Sequence, residues 1–310
     1  MEITKKLKER FCKDCNVPIK IFDEPYFTER LELYDSLYGT ISKWNIFIKE
    51  LQKYDCEQDY FEDYNRVKDE AIMCIKNTEA YQRFNDEDMN KYRVKHTNIT
   101  RKDIFHQNND GKVFISIDMK KANFSSLHHY DPSIFKGAST WENFVSLFTN
   151  NQHIIHSTYI RQVILGNCNP KRHTTYEKFL MDNVIDILET EYGNILDNIV
   201  SLSNDEIIIE YYTHYTRLKR RIQSLLTIKC PDIPFRVELF TLRKIKGING
   251  YYKEIFRLIG ETEIELKCVN NYMLPFVIRK IKGQEPSEND KVFYHEELLS
   301  KFITIPEIML

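Results

Sequence analysis

Lys112-Val-Phe-Ile-Ser-Ile-Asp118-Met-Lys-Lys-Ala-Asn-Phe124 is the stretch on which the fold turns. Its first half is a nearly unbroken β-branched and aromatic run, which predicts a strand covered on both faces. The turn signal Asn108-Asn109-Asp110-Gly111 stands before it, and the strand ends on an acid, Asp118. Aspartate is depleted inside strands, and a strand end holds a side chain rigidly at a sheet edge.

Downstream, helical pattern runs from Thr140 to Phe148, Ser157 to Leu165 and Thr174 to Leu196, with Thr174 and Glu177 spaced as a capping box for the longest. Ile199 to Leu202, the break Ser203-Asn204-Asp205, and Ile207 to Tyr211 then predict a β-hairpin with acids at its tip. An order of strand, helices and hairpin lets the first strand lie beside the hairpin in one antiparallel sheet. Asp118 and the Asp205-Glu206 pair then meet at the same edge. Carboxylates so placed repel one another, and a hard divalent cation resolves the conflict. Mg²⁺ or Mn²⁺ held by Asp118 and Asp205 would suit nucleotidyl transfer, in which paired ions activate a 3′-hydroxyl and stabilise the leaving pyrophosphate.

The stretch Asp118-Met-Lys-Lys-Ala122-Asn-Phe124 resembles the first catalytic motif of polymerase palms, in particular the Asp-x-Lys-x-Ala-aromatic pattern of reverse transcriptases. Ser203-Asn204-Asp205-Glu206-Ile-Ile-Ile resembles the later palm motif, and its acid order is similar to the His-Asp-Glu signature of family A DNA polymerases. The resemblance spans about residues 112 to 211. It implies Asp118, Asp205 and Glu206 as catalytic residues, and Asn123 with Phe124 under the sugar of an incoming nucleoside triphosphate. It implies Arg161, Lys171 and Arg172 on the triphosphate. Arg172-x-x-x-Tyr176 is similar to the spacing on a fingers helix of family A enzymes. The expected partners are a nucleotide and a primer-template, and a protein supplying fingers or thumb is a further candidate.

Around this centre the expected class is α+β, with a helical region over 1–107, a palm-like core over 108–229 and a strand-rich region over 230–310. Apolar residues at Leu33, Leu37, Ile41, Trp44, Ile48 and Leu51 predict one amphipathic helix from Leu31 to Leu51, and a second is expected from Tyr60 to Phe84. A basic helix is expected from Tyr215 to Thr227. Leu242-Arg-Lys-Ile-Lys-Gly247 and Ile278-Arg-Lys-Ile-Lys-Gly283 are near-copies, each read as a strand ending at glycine. Arg217, Lys219, Arg220 and Arg221, with Arg243, Lys244, Arg279 and Lys280, are the candidate nucleic-acid contacts.

The chain's 310 residues, 42% hydrophobic and 29% charged, describe a globular protein, and nine Gly with nine Pro leave little for a flexible linker. Its 19 Tyr, 19 Phe and many Asn, Ile and Lys fit an AT-rich genome such as that of a large virus or phage. The charged start and the lack of a long apolar run predict a soluble intracellular protein without a membrane segment. Seven scattered cysteines argue against a disulfide framework, and Cys12-x-x-Cys15 lacks a matching second pair for zinc. A net charge of −2 counts against a general nucleic-acid binder, leaving local basic patches to do that work. Two rival readings fit the same residues. One is a non-catalytic palm-like module that binds nucleic acid or protein. The other is a metal-dependent nuclease or phosphoesterase built on His128, His129, His153 and His156 with Asp118 or Asp131.

Overall fold

Alternation along β1 (Val113–Met119) decides how the sheet is covered. Ile115, Ile117 and Met119 point into the main core, while Phe114 points to the opposite face, into a smaller cluster with Phe240, Leu242 and Tyr251. The computed structural model describes residues 2–99, 103–210, 215–257, 260–296 and 298–310.

In chain order the described elements begin with α1 (Lys5–Asp14), α2 (Tyr26–Tyr38), α3 (Thr40–Leu51), α4 (Glu57–Lys76) and α5 (Glu79–Asp86). After β1 come α6 (Ala122–Tyr130), α7 (Trp141–Val145), α8 (Gln152–His156), α9 (Thr158–Gly166) and α10 (Pro170–Tyr192). The hairpin β2 (Ile199–Leu202) and β3 (Glu206–Glu210) follows, then α11 (Tyr215–Lys229), β4 (Phe235–Ile245), β5 (Gly250–Phe256) and β6 (Thr262–Lys267). The chain closes with α12 (Leu274–Ile281) and a small hairpin, β7 (Val292–His295) and β8 (Leu298–Lys301).

The protein is α+β. Six strands form one antiparallel sheet in the order β2-β3-β1-β4-β5-β6. Helices α6 to α10 connect β1 to β2, and α11 connects β3 to β4. Strands β1 to β4 with these crossovers make a split β-α-β-β-α-β unit, and β5 and β6 extend its sheet beyond β4. One main core runs from Leu7 in α1 to Ile278 in α12, so the N-terminal helices pack against the layer that covers the sheet.

Several boundaries differ from those expected. The predicted helix from Leu31 to Leu51 is two helices, because Gly39 takes a left-handed conformation (φ 58°) and its N–H closes α2 on the Asp35 carbonyl. The stretch from Tyr60 to Phe84 is likewise divided: Thr78 leaves the helix and its hydroxyl caps α5 at Tyr81 N (3.2 Å). Helix α10 starts at Pro170, at the first helical position, so Thr174 and Glu177 lie inside it and form no capping box. Strand β3 ends at Glu210; Tyr211, expected to close it, lies outside the described residues. The second near-copy is not a strand. Its Ile278 to Ile281 end helix α12, so no paired basic sheet surface forms with β4.

Candidate functional site

The ladder between β1 and β3 sets Asp118 directly across from Glu206, and Met119 N–H donates to the Asp205 carbonyl at 2.9 Å. The hairpin tip is fixed by Ser203, whose Oγ accepts from the backbone of Glu206 (2.9 Å) and donates to Asp205 Oδ1 (3.0 Å). On the other side of β1, Arg236 of β4 is the ladder partner of Asp118 and donates to its Oδ2 at 3.1 Å. The three acids are therefore held at one edge by hydrogen-bonded backbone.

Their charges are poorly balanced. Burial pushes the Asp118 carboxyl above its usual range; Arg236 pulls it down, while Glu206 and Asp205 push it further up. Glu206 is turned along the sheet, accepting from Ser116 Oγ (2.5 Å) with Lys253 Nζ at 3.7 Å. Its carboxylate braces the edge, while Asp118 and Asp205 open into a cleft of about 450 Å³.

The walls of that cleft include Lys121, Asn123, Arg161, His173, Thr174 and Glu177. Asn123 and Arg161, the substrate residues that the resemblance implies, line the same cleft as Asp118 and Asp205. Arg161 is mostly buried, which pushes its guanidinium pKa down with partial compensation from Glu142, and its Nε meets no hydrogen-bond partner among the described residues. Lys121, in a left-handed conformation that starts α6, reaches Glu142 at 2.5 Å.

Neither His173 nor Glu177 is expected at the site from sequence. One helical turn apart on α10, both face the cleft. The His173 ring is buried with Nε2 unpartnered among the described residues, and burial pushes its pKa down to about 4. Glu177 is 8% exposed, and among the described residues no hydrogen bond or ion pair reaches its carboxyl. Burial, reinforced by the charge of Asp205, pushes that carboxyl up to about 7. The i, i+4 spacing was visible, but a capping-box reading had assigned Thr174 and Glu177 to a helix start.

Other expected substrate residues have different work. Phe124 is buried against Phe135, Trp141 and His128. Tyr176 is buried among Phe84, Tyr92, Tyr130 and Phe179, with its hydroxyl 3.0 Å from His129 Nδ1. Arg172 spends its guanidinium on the carbonyls of Phe84 (2.8 Å) and Glu87, fastening α10 to the end of α5. Lys171 is exposed and is not part of the cleft wall.

The basic candidates divide in the same way. Arg217, Arg220 and Arg221 are exposed on α11, and Lys219 is half-buried with Nζ 3.4 Å from the Phe256 carbonyl. Arg243 is paired with Glu254 at 2.8 Å, and Lys244 donates to the Ile248 carbonyl at 2.8 Å. Arg279 donates to the buried Asp290 at 3.0 Å, which leaves Lys280 exposed on α12.

The histidine site does not assemble. His153 is buried 3.0 Å from Asp14, His129 meets Tyr176, His156 bonds the Gln152 carbonyl in its own helix, and Asp131 pairs with Arg83. All seven cysteines are free thiols, and burial pushes Cys12 and Cys15 up to about 12. Among the described residues, the one group of three such side chains with ligand atoms close enough to share a metal ion is His96, Asp186 and Glu189. No helix among the described residues is long and apolar enough to cross a membrane. A larger cleft of about 810 Å³ lies between the N-terminal segment and α12, away from the acids.

No protein-family model matches the chain, and neither curated proteins nor solved structures give a match.

Proposed function

We propose that this protein is a palm-type nucleotidyltransferase acting on a nucleoside triphosphate and a primer-template. One observation carries the reading. In a split β-α-β-β-α-β sheet, Asp118 at the end of β1 stands across from Glu206 and beside Asp205 at the hairpin tip, and two of these acids open into a cleft with Arg161, whose Nε has no hydrogen-bond partner among the described residues.

The donor set fits a hard divalent cation. Asp118 and Asp205 offer oxygen ligands, and the upward push on Asp118 is relieved when positive charge arrives. Mg²⁺ or Mn²⁺ bound there would supply charge stabilisation at the phosphates and a more acidic hydroxyl. The chain's own residues do the rest. Arg161 and Lys121 neutralise the triphosphate, and Asn123 offers an amide to the nucleotide. Ser116 and Lys253 hold Glu206 in place, and Ser203 orients Asp205. The exposed Arg217, Arg220 and Arg221 give α11 a basic face for a nucleic-acid backbone.

Primer-template extension with Mn²⁺ and all nucleotides tests the proposal. The wild-type protein should extend the primer, and Asp118→Ala should abolish incorporation with unchanged circular dichroism and melting temperature. No extension by the wild type, with tight nucleic-acid binding retained, would place the non-catalytic module first.

A further inference from the structure

Helix α10 carries a second polar site one to three turns beyond the cleft, roughly 8–18 Å along its axis from Glu177. There Asp182, Asp186 and Glu189 face the segment that carries Lys95 and His96. Asp182 is 1% exposed and accepts three bonds: from the backbone N–H of Lys95 (2.8 Å), from that of His96 (3.0 Å), and from His96 Nδ1 (2.9 Å). An ionised carboxylate only accepts, so Nδ1 carries the proton that bonds it.

The other ring nitrogen has no such partner. His96 Nε2 is 3.6 Å from Asp186 Oδ1 and 3.7 Å from Glu189 Oε2, too far for hydrogen bonds. Two ligand atoms on a tetrahedral ion with bonds near 2.1 Å stand about 3.4 Å apart. The three ligand atoms lie within 4.8 Å of one another, so they are spaced to share an ion. Lys95 binds Asp186 Oδ2, which directs Oδ1 toward the imidazole. A carboxylate that fixes the ring tautomer behind a ligating histidine is the usual support of a metal centre.

We propose that His96, Asp186 and Glu189 form a binding site for a divalent transition metal of the zinc class, with water completing its coordination. An imidazole ligand selects zinc-like ions over Mg²⁺. The ion fastens the segment around Lys95 and His96 to α10, the helix that also walls the cleft.

Zn²⁺ and Co²⁺ themselves are the probes. The metal-stripped full chain should bind one equivalent of Zn²⁺ by calorimetry, develop a Co²⁺ visible absorption band that Zn²⁺ displaces, and melt at a higher temperature with Zn²⁺. His96→Gln and Glu189→Gln should each weaken Zn²⁺ binding at least tenfold and remove the thermal shift. Glu189 is half-exposed, so its variant tests the site without disturbing the core. Equal Zn²⁺ affinity in the wild type and both site variants would overturn the proposal. So would the absence of heat and thermal shift in the wild type at about 0.1 mM Zn²⁺.

Discussion

Asp14 is fully buried and Asp118 partly so, and their surroundings are opposite. Asp14 accepts from Tyr64 Oη (2.8 Å) and Ser157 Oγ (2.8 Å), with His153 Nε2 at 3.0 Å and Arg10 at 3.9 Å. Those partners come from α4, α8, the Ser157 cap of α9 and its own helix α1, so this carboxylate ties the N-terminal bundle together. Asp118 has one cation, Arg236, and carboxylates of Asp205 and Glu206 pressing on it from the hairpin. A buried acid with hydrogen bonds to both oxygens contributes to architecture. Crowded acids with fewer donors than they can use are arranged for a ligand that brings positive charge.

Exchanging the two acids for neutral residues should separate these roles. Asp118→Asn is expected to reduce nucleotide incorporation by on the order of 10³-fold or more, with the melting temperature unchanged or raised. Steady-state extension kinetics beside calorimetry measure both. Asp14→Ala should do the reverse, costing about 3–5 kcal/mol in urea denaturation because Tyr64, Ser157 and His153 lose their shared acceptor. Loss of stability in Asp118→Asn comparable to that in Asp14→Ala would erase the contrast.

Glu177 lies between the two cases, being buried like Asp14 but, like Asp118, pushed up by burial and by the charge of Asp205. Its carboxyl titrates near 7 in the fold against about 4.5 when unfolded, so the native state binds the extra proton between those values. Stability contributed by that proton is full below pH 4.5 and is lost as pH rises through 7. Glu177→Gln should therefore match the wild type at pH 4.5 and exceed it by about 3 kcal/mol at pH 8. A constant difference across that range would remove Glu177 from the buried wall of the cleft.

The smallest expected effects distinguish two arginines near α10. Arg161→Ala should raise the KM for nucleotide about tenfold with little change in stability, as loss of one charged phosphate contact does. Arg172→Ala should leave KM alone and cost about 1–2 kcal/mol, because its bonds go to the carbonyls of Phe84 and Glu87.

The near-copies Leu242 to Gly247 and Ile278 to Gly283 show where local sequence stops deciding. The first follows an alternating run from Phe235 and is paired on one side with β5, so it extends a strand. The second follows Pro275, the first turn of α12, and its Phe276, Val277 and Ile278 bury against α2 and the adjoining core. Six residues with the same preferences therefore take the conformation their neighbours make profitable to bury.

The strand ending at Asp118, the hairpin carrying Asp205 and Glu206, and the basic α11 were legible from sequence, because β-branched runs and turn residues act over a few positions. The meeting of Asp118 with Glu206 also followed from element order alone. Arg236, His173 and Glu177 entered the site only through tertiary structure: Arg236 by ladder register, the other two by which side of α10 faces the sheet edge. Phe124, Tyr176 and Arg172 left it for the same reason. Short-range pattern placed these particular elements, whereas the direction a long or aromatic side chain takes depends on what packs against it.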